Sequence, residues 1–199
     1  MYIEKINARG NLAHKSIPGY IHSGQEVKDL QNVLIGAGYK LPKYGIDGDF
    51  GDETRTAVIA FQKAHGLDDD GRVGSLTLEQ LKWYWYPNFT KPEFGCKCGK
   101  CGGFPVEVNE KLLMVVQNIR NHFGKSVHIN SAIRCPAHNK AVGGVSNSQH
   151  LYGTAADIKV DGVLPSAVYA YAKTLLMGGV GRYNTFTHVD VGPVRYWRG

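Results

Sequence analysis

Two segments of the chain carry imidazoles and carboxylates at spacings that could hold a metal ion. The first, Ser148-Gln149-His150-Leu151-Tyr152-Gly153-Thr154-Ala155-Ala156-Asp157, sets a His and an Asp seven residues apart across a Gly turn. The second is Phe186-Thr187-His188-Val189-Asp190-Val191. Read as a strand, its period of two puts Phe186, His188 and Asp190 on one face and Thr187, Val189 and Val191 on the other. Folded together, His150, Asp157 and His188 supply two neutral nitrogens and one carboxylate oxygen. That donor set suits Zn²⁺ with a fourth position left open, the layout of a catalytic rather than a structural site. Each residue taken singly also has an ordinary role as a surface or hydrogen-bonded group.

A second cluster is Cys96, Cys98 and Cys101 in a C-x-C-x₂-C run, with Cys135 far downstream. Three states are open to it. Four thiolates could hold a structural Zn²⁺, although the tight C-x-C pair departs from the usual C-x₂-C knuckle. One of the three could instead pair with Cys135 in a disulfide, or all four could be free thiols in a reducing compartment.

The elements that must position these groups fall into two halves. Residues 24–82 predict a small helical unit. Val27, Leu30 and Leu34 share a face, Ala57, Val58, Phe61 and Ala64 repeat at three-to-four spacing, and Leu78 and Leu81 mark a third helix. Between the helices lies a quasi-repeat: residues 47–54, DGDFGDET, match residues 70–77, DGRVGSLT. Each copy reads as a turn with two glycines, one buried apolar residue, and Asp52 or Ser75 placed to cap the next helix. Residues 84–95, rich in aromatics with two prolines, read as a linker, its rings packing where the domains meet. The second half predicts a helix over 108–123, strands over 127–133, 156–160 and 186–191, and a helix around 165–176. Mixed elements of this kind give an α+β domain with a small, mostly antiparallel sheet.

Composition narrows the class. At 43% hydrophobic and 20% charged residues, the 199-residue chain has ample material for cores, and its 4 Cys are too few for a disulfide mini-protein. No run approaches the ~18 apolar residues of a membrane span. The start, MYIEKINARGNLAHK, lacks the apolar stretch of a signal peptide, so synthesis in the cytoplasm without a secretion signal is expected. Residues 1–89 carry 10 Lys/Arg against 11 Asp/Glu, whereas residues 90–199 carry 13 against 6. A basic second half suggests an anionic partner, but its charges are scattered and no nucleic-acid motif accompanies them.

The order GQEVKDLQNVLIGAGY, GIDGDFGDETRTAVIAFQKAHGL, DGRVGSLTLEQL resembles the three-helix peptidoglycan-binding domain of bacterial wall hydrolases, over about 60 residues. In the second half, SQHLYGTAAD at 148–157 and HVDVGPVRYW at 188–197 follow an upstream SAIRCPAHN at 131–139 that leads to VGG at 142–144. Over about 105 residues this resembles the zinc D-Ala-D-Ala carboxypeptidases and murein endopeptidases, whose fold is shared with Hedgehog signalling domains. The resemblance implies an N-terminal three-helix bundle (1–83, core 24–82), a linker (84–95) and a zinc peptidase domain (96–199). It also implies His150, Asp157 and His188 as zinc ligands and Arg134 as the group holding a substrate carboxylate or the oxyanion.

One position departs from that pattern. Many relatives place a carboxylate three residues before the last ligand as general base, and here Thr185 stands there. Asp190 is the nearest substitute, either as base or as a partner that orients a ligand imidazole. Tyr183 and His138 could donate to a developing oxyanion. The expected function is zinc-dependent hydrolysis of an amide in the stem peptide or cross-bridge of peptidoglycan. Endo- or carboxypeptidase action, and D,D or L,D bonds, are left open. The role that fits is a monomeric phage or prophage endolysin that reaches the wall after release, with no nucleic-acid or membrane partner. The rival is a wall-binding protein whose peptidase half is degenerate.

Overall fold

Among the described residues of the first part of the chain, apolar residues at helical spacing fold as three amphipathic helices: α1 (Gln25–Gly36), α2 (Asp52–Ala64) and α3 (Ser75–Trp85). The computed structural model describes residues 11–199; residues 1–10, part of the expected first domain and of the start that lacks a signal peptide's apolar stretch, lie outside the described residues. The buried faces of the helices (Val27, Leu30 and Leu34; Val58 and Phe61; Leu78 and Leu81) close on one core with Leu12, Phe50 and Val73. The described residues divide into two compact units between Pro87 and Asn88. That boundary falls inside the stretch expected to be a linker. Tyr84 packs edge-on against Phe61 and bonds His65 Nε2 at 2.9 Å, so it belongs to the first unit. Phe89 and Phe94 pack edge to face within the second.

The quasi-repeat is built differently from expectation. Gly51 and Gly74 occupy the N-cap positions and no side chain caps either helix, because Asp52 and Ser75 are already the first helical residues. Each loop is instead held by a buried glutamine of the preceding helix. Gln31 Nε2 reaches Asp47 Oδ1 (2.7 Å), the Asp49 carbonyl (3.1 Å) and Thr54 Oγ1 (3.0 Å), while its Oε1 accepts from the Gly48 N–H (2.8 Å). Gln62 does the same for Asp70, Arg72, Thr77 and Gly71. A buried polar side chain is stable only when its groups are paired, and here both loops pair them.

The second unit combines three helices, α4 (Glu110–Phe123), α5 (Pro136–Ala141) and α6 (Pro165–Thr174), with five strands. These are β1 (Val127–Ser131), β2 (Ala155–Val160), β3 (Gly179–Arg182), β4 (Thr187–Asp190) and β5 (Arg195–Arg198). The sheet order is β1-β2-β4-β3-β5; all neighbours are antiparallel except β3 and β5. The Asn109 side chain caps α4 by accepting from the Lys111 N–H, and Gly124 ends the helix in the left-handed region. Leu112, Leu113, Val116 and Ile119 form its buried face, and α4 and α6 both pack against the sheet. Thr187 and Val189 of β4 are buried, with Thr187 Oγ1 donating to the Pro165 carbonyl at the start of α6. His188 is thereby turned toward the opposite face.

Two strands are absent from the sequence reading. β3 is glycine-rich because the Trp197 indole of β5 lies where a side chain at Gly181 would stand; even a Cβ there would collide with it. A strand whose side chain is replaced by a neighbour's ring gives no apolar alternation to read.

Candidate metal centre

Register brings two of the expected ligands together. In the β2–β4 pair Asp157 is the direct partner of His188, so both side chains leave the same face at neighbouring positions. His150 arrives from outside the sheet, on a short 3-10 helix (Gln149–Tyr152) that ends at Gly153 in the left-handed region with φ 68°. A Cβ at Gly153 would strike the Glu107 carbonyl, so glycine is required there for close approach as well as for the turn. The result is one ligand atom from each of His150, Asp157 and His188, all within 4.8 Å of one another. All three residues are buried.

Hydrogen bonds fix which atoms face each other. His150 Nδ1 is held by the Ala132 carbonyl at 2.5 Å, which leaves Nε2 pointing at Asp157 Oδ1, 3.4 Å away. His188 Nδ1 lies 2.8 Å from the same oxygen, and its Nε2 lies 3.0 Å from Asp190 Oδ2. The other Asp157 oxygen accepts from Arg134 Nη2 at 2.5 Å, and Arg134 Nε is anchored on Ser131 Oγ at 3.0 Å. Burial opposes charge on Asp157, but hydrogen bonds and charge from His150 and His188 outweigh it and hold the carboxyl well below the usual range. For His188 burial favours the neutral form; the bonds to Asp157 and Asp190 prevail and raise its pKa.

The donor set is of a kind and spacing that could hold Zn²⁺. A tetrahedron of ~2.0–2.1 Å bonds to nitrogen and oxygen has edges of roughly 3.3 Å. The 2.8 and 3.4 Å separations around Asp157 Oδ1 bracket that value. The three side chains open into a cleft of about 670 Å³, lined also by Arg134, Tyr183, Phe186, Arg195 and Trp197.

Two of the expected site residues, Asp190 and His138, are not among those that line the cleft. Asp190 was the substitute for a base at Thr185, yet its carboxylate is fully enclosed, with a side-chain exposure of 0%. It accepts from His188 Nε2, from Arg195 through Nη1 and Nη2, and from the Gly179 and Gly192 N–H groups. Burial notwithstanding, these donors press its pKa down to about 2. Placed beside Nε2 of His188, the carboxylate is bonded as a partner that orients a ligand imidazole would be. His138 also misses the cleft: its Nδ1 sits 3.3 Å from Cys96 Sγ, in the cysteine cluster. Tyr183 does line the cleft, stacked on Phe186 with centroids 4.4 Å apart and accepting from Trp197 Nε1 at 3.1 Å. Thr185 is exposed and is not part of the cleft lining; among the described residues that line it, Asp157 is the only carboxylate.

Residues 87–190 match the model of the peptidase M15 family, just over half of the chain. The chain belongs to the peptidase M15 family. Residues 23–81 match a peptidoglycan binding domain. Among curated proteins, the zinc D-Ala-D-Ala carboxypeptidase of Streptomyces albus G is 33% identical over 193 residues, covering 88% of this chain and 75% of that protein. The peptidoglycan L,D-endopeptidase MepK of Escherichia coli (strain K12) is 32% identical over 75 residues, 37% of this chain and 39% of MepK. The N-acetylmuramoyl-L-alanine amidase CwlL of Bacillus licheniformis is 51% identical over 59 residues, 30% of this chain and 16% of CwlL. The chain thus spans three quarters of the carboxypeptidase but well under half of the other two. The M15 match includes Arg134, His150, Asp157, His188 and Asp190 and stops before Arg195 and Trp197. Sequence reasoning assigned no role to those two, although both stand in the HVDVGPVRYW run. Arg195 clamps Asp190, and the Trp197 ring lies 5.2 Å from the His188 ring. The motif match marked the run but not these roles, because β5 is mostly exposed and shows no apolar alternation.

Proposed function

We propose that this M15 peptidase hydrolyses an amide bond in the stem peptide or cross-bridge of bacterial peptidoglycan, using Zn²⁺ held by His150, Asp157 and His188. The observation that carries this reading is the convergence of three buried ligand atoms at the floor of an open cleft. The chemistry Zn²⁺ supplies when bound is Lewis acidity, polarising a carbonyl and making water nucleophilic near neutral pH.

The chain's own groups divide the remaining work. The Ala132 carbonyl fixes His150, Arg134 fixes the second oxygen of Asp157, and Asp190 with Arg195 fixes His188, so each ligand has one nitrogen or oxygen turned inward and the other tied down. The Tyr183 hydroxyl accepts from Trp197, which frees its own proton to donate to negative charge developing on a carbonyl oxygen in the cleft. Arg134 Nη1 has no bond among the described residues and Arg195 is partly exposed; both are suited to the carboxylates of a stem peptide. The 23–81 unit is the part that grips the wall, and tethering it to the peptidase raises the local substrate concentration. We place the protein as a monomer and as a phage or prophage endolysin.

The test is metal content and lysis of purified walls by His150→Ala, Asp157→Ala and His188→Ala variants. Each should lose one zinc per chain and nearly all lysis, with an unchanged far-ultraviolet circular dichroism spectrum. Full zinc and full lysis in any one would remove that residue from the ligand set. Walls bound but uncut by the zinc-loaded wild type would favour the degenerate wall-binding reading.

A further inference from the structure

We propose that Cys96, Cys98, Cys101 and Cys135 form a second metal centre, a closed tetrathiolate site for Zn²⁺ that anchors the segment carrying Arg134. It stands independently of the proposed function of the cleft.

Three of the sulfurs come from the loop after the 3-10 helix Lys91–Phe94, and the fourth from the N-cap of α5. Despite that separation all four Sγ atoms lie within 4.8 Å of one another. None is joined in a disulfide. Cys135 and Cys98 Sγ stand 3.8 Å apart. A tetrahedron of ~2.3 Å Zn–S bonds has edges of roughly 3.8 Å. A disulfide would need ~2.05 Å.

The surroundings suit thiolates. Backbone N–H groups point at three of the sulfurs: Lys100 at Cys98 (3.3 Å), Cys135 at Cys96 (3.4 Å) and His138 at Cys135 (3.4 Å). The imidazole of His138 lies against Cys96 from outside. Donors aimed at a sulfur favour its anionic, ligating form and commonly surround metal-bound thiolates. Four soft ligands select zinc over hard cations such as Mg²⁺ or Ca²⁺, and a full set of four leaves no open position, so the role is structural. On binding, each ligating thiol gives its proton to solvent, four Zn–S bonds form, and no atom changes oxidation state.

The consequence reaches the cleft through one peptide bond. Cys135 follows Arg134, whose guanidinium holds Asp157, and the Arg134 N–H also donates to the His150 carbonyl at 3.0 Å. The metal thus ties the entry of the second unit to the segment that fixes two of the three cleft ligands.

The test is zinc per chain in the full-length protein purified without chelator. Two ions are expected in the wild type, one in a Cys98→Ser/Cys101→Ser variant, and one in His150→Ala. Because the cysteine variant could fail to fold, the wild type and His150→Ala are also loaded with Co²⁺. A sulfur-to-cobalt charge-transfer band should appear in both, and a mercurial reagent that caps four thiols should release one metal ion. The site is refuted by a single zinc per chain in the wild type that His150→Ala removes, by a cobalt spectrum without the sulfur band, or by a mass deficit showing the cysteines paired as disulfides. Loss of zinc in His150→Ala alone tests the cleft; the sulfur band tests this centre.

Discussion

At the residue scale, Asp190 shows how position decides chemistry. Asp190 and His188 share a strand face, as the period of two requires, but the carboxylate lies on the Nε2 side of His188 while Nδ1 faces Asp157. Asp190→Asn should therefore weaken zinc affinity by about 10–100-fold, and added zinc should largely restore turnover. A general base would instead leave affinity intact and lower turnover by about 10²–10⁴-fold. Competitive zinc titration beside rate measurements at saturating metal separates the two. The same pair sets a pH dependence. In the metal-free protein His188 keeps its proton above 6.5, the ordinary imidazole value, because two carboxylates flank it. That pairing stabilises the metal-free fold fully below ~6.5 and its contribution is lost as pH rises through the raised value. Zinc must displace the proton, so affinity measured by titration calorimetry should climb with pH and level off only above the ordinary His range. A plateau already reached below 6.5 would contradict this.

At the scale of elements, the helices and the strands that carry the ligands were legible because apolar periodicity is a local property. α1, α2, α4 and β2 follow from it directly. What stayed hidden depends on partners distant in sequence. β3 has glycine where Trp197 packs, and Arg195 matters only because β5 lies beside β3 and within reach of Asp190. Gln31 and Gln62 look like surface residues in the sequence, yet each is buried and satisfies the following loop. Gln62→Ala should leave the Gly71 N–H and the Arg72 carbonyl short of partners. A buried unsatisfied group costs about 1–3 kcal/mol. Chemical denaturation of residues 1–87 should show a loss of at least that size, and a change under ~0.5 kcal/mol, typical of a surface substitution, would mean that the loop holds itself.

At the scale of the whole molecule, two units with separate cores share one chain, one matched to a peptidoglycan binding domain and the other to the M15 peptidases. The sequence showed both through ordered motifs, and the division between Pro87 and Asn88 falls inside the stretch read as a linker, whose aromatic residues pack within the units, Tyr84 in the first and Phe94 in the second. The claim joining the units is that a metal-dependent peptidase acts on the polymer its neighbour grips. Mass spectrometry of the fragments released from purified walls tests it most directly, with the full chain as purified, stripped by chelator, and reloaded with Zn²⁺. The account predicts peptides cut at an amide bond with intact sugar strands, lost on chelation and regained with zinc. Fragments cut between sugars, or peptide products that persist in the stripped protein, would contradict it.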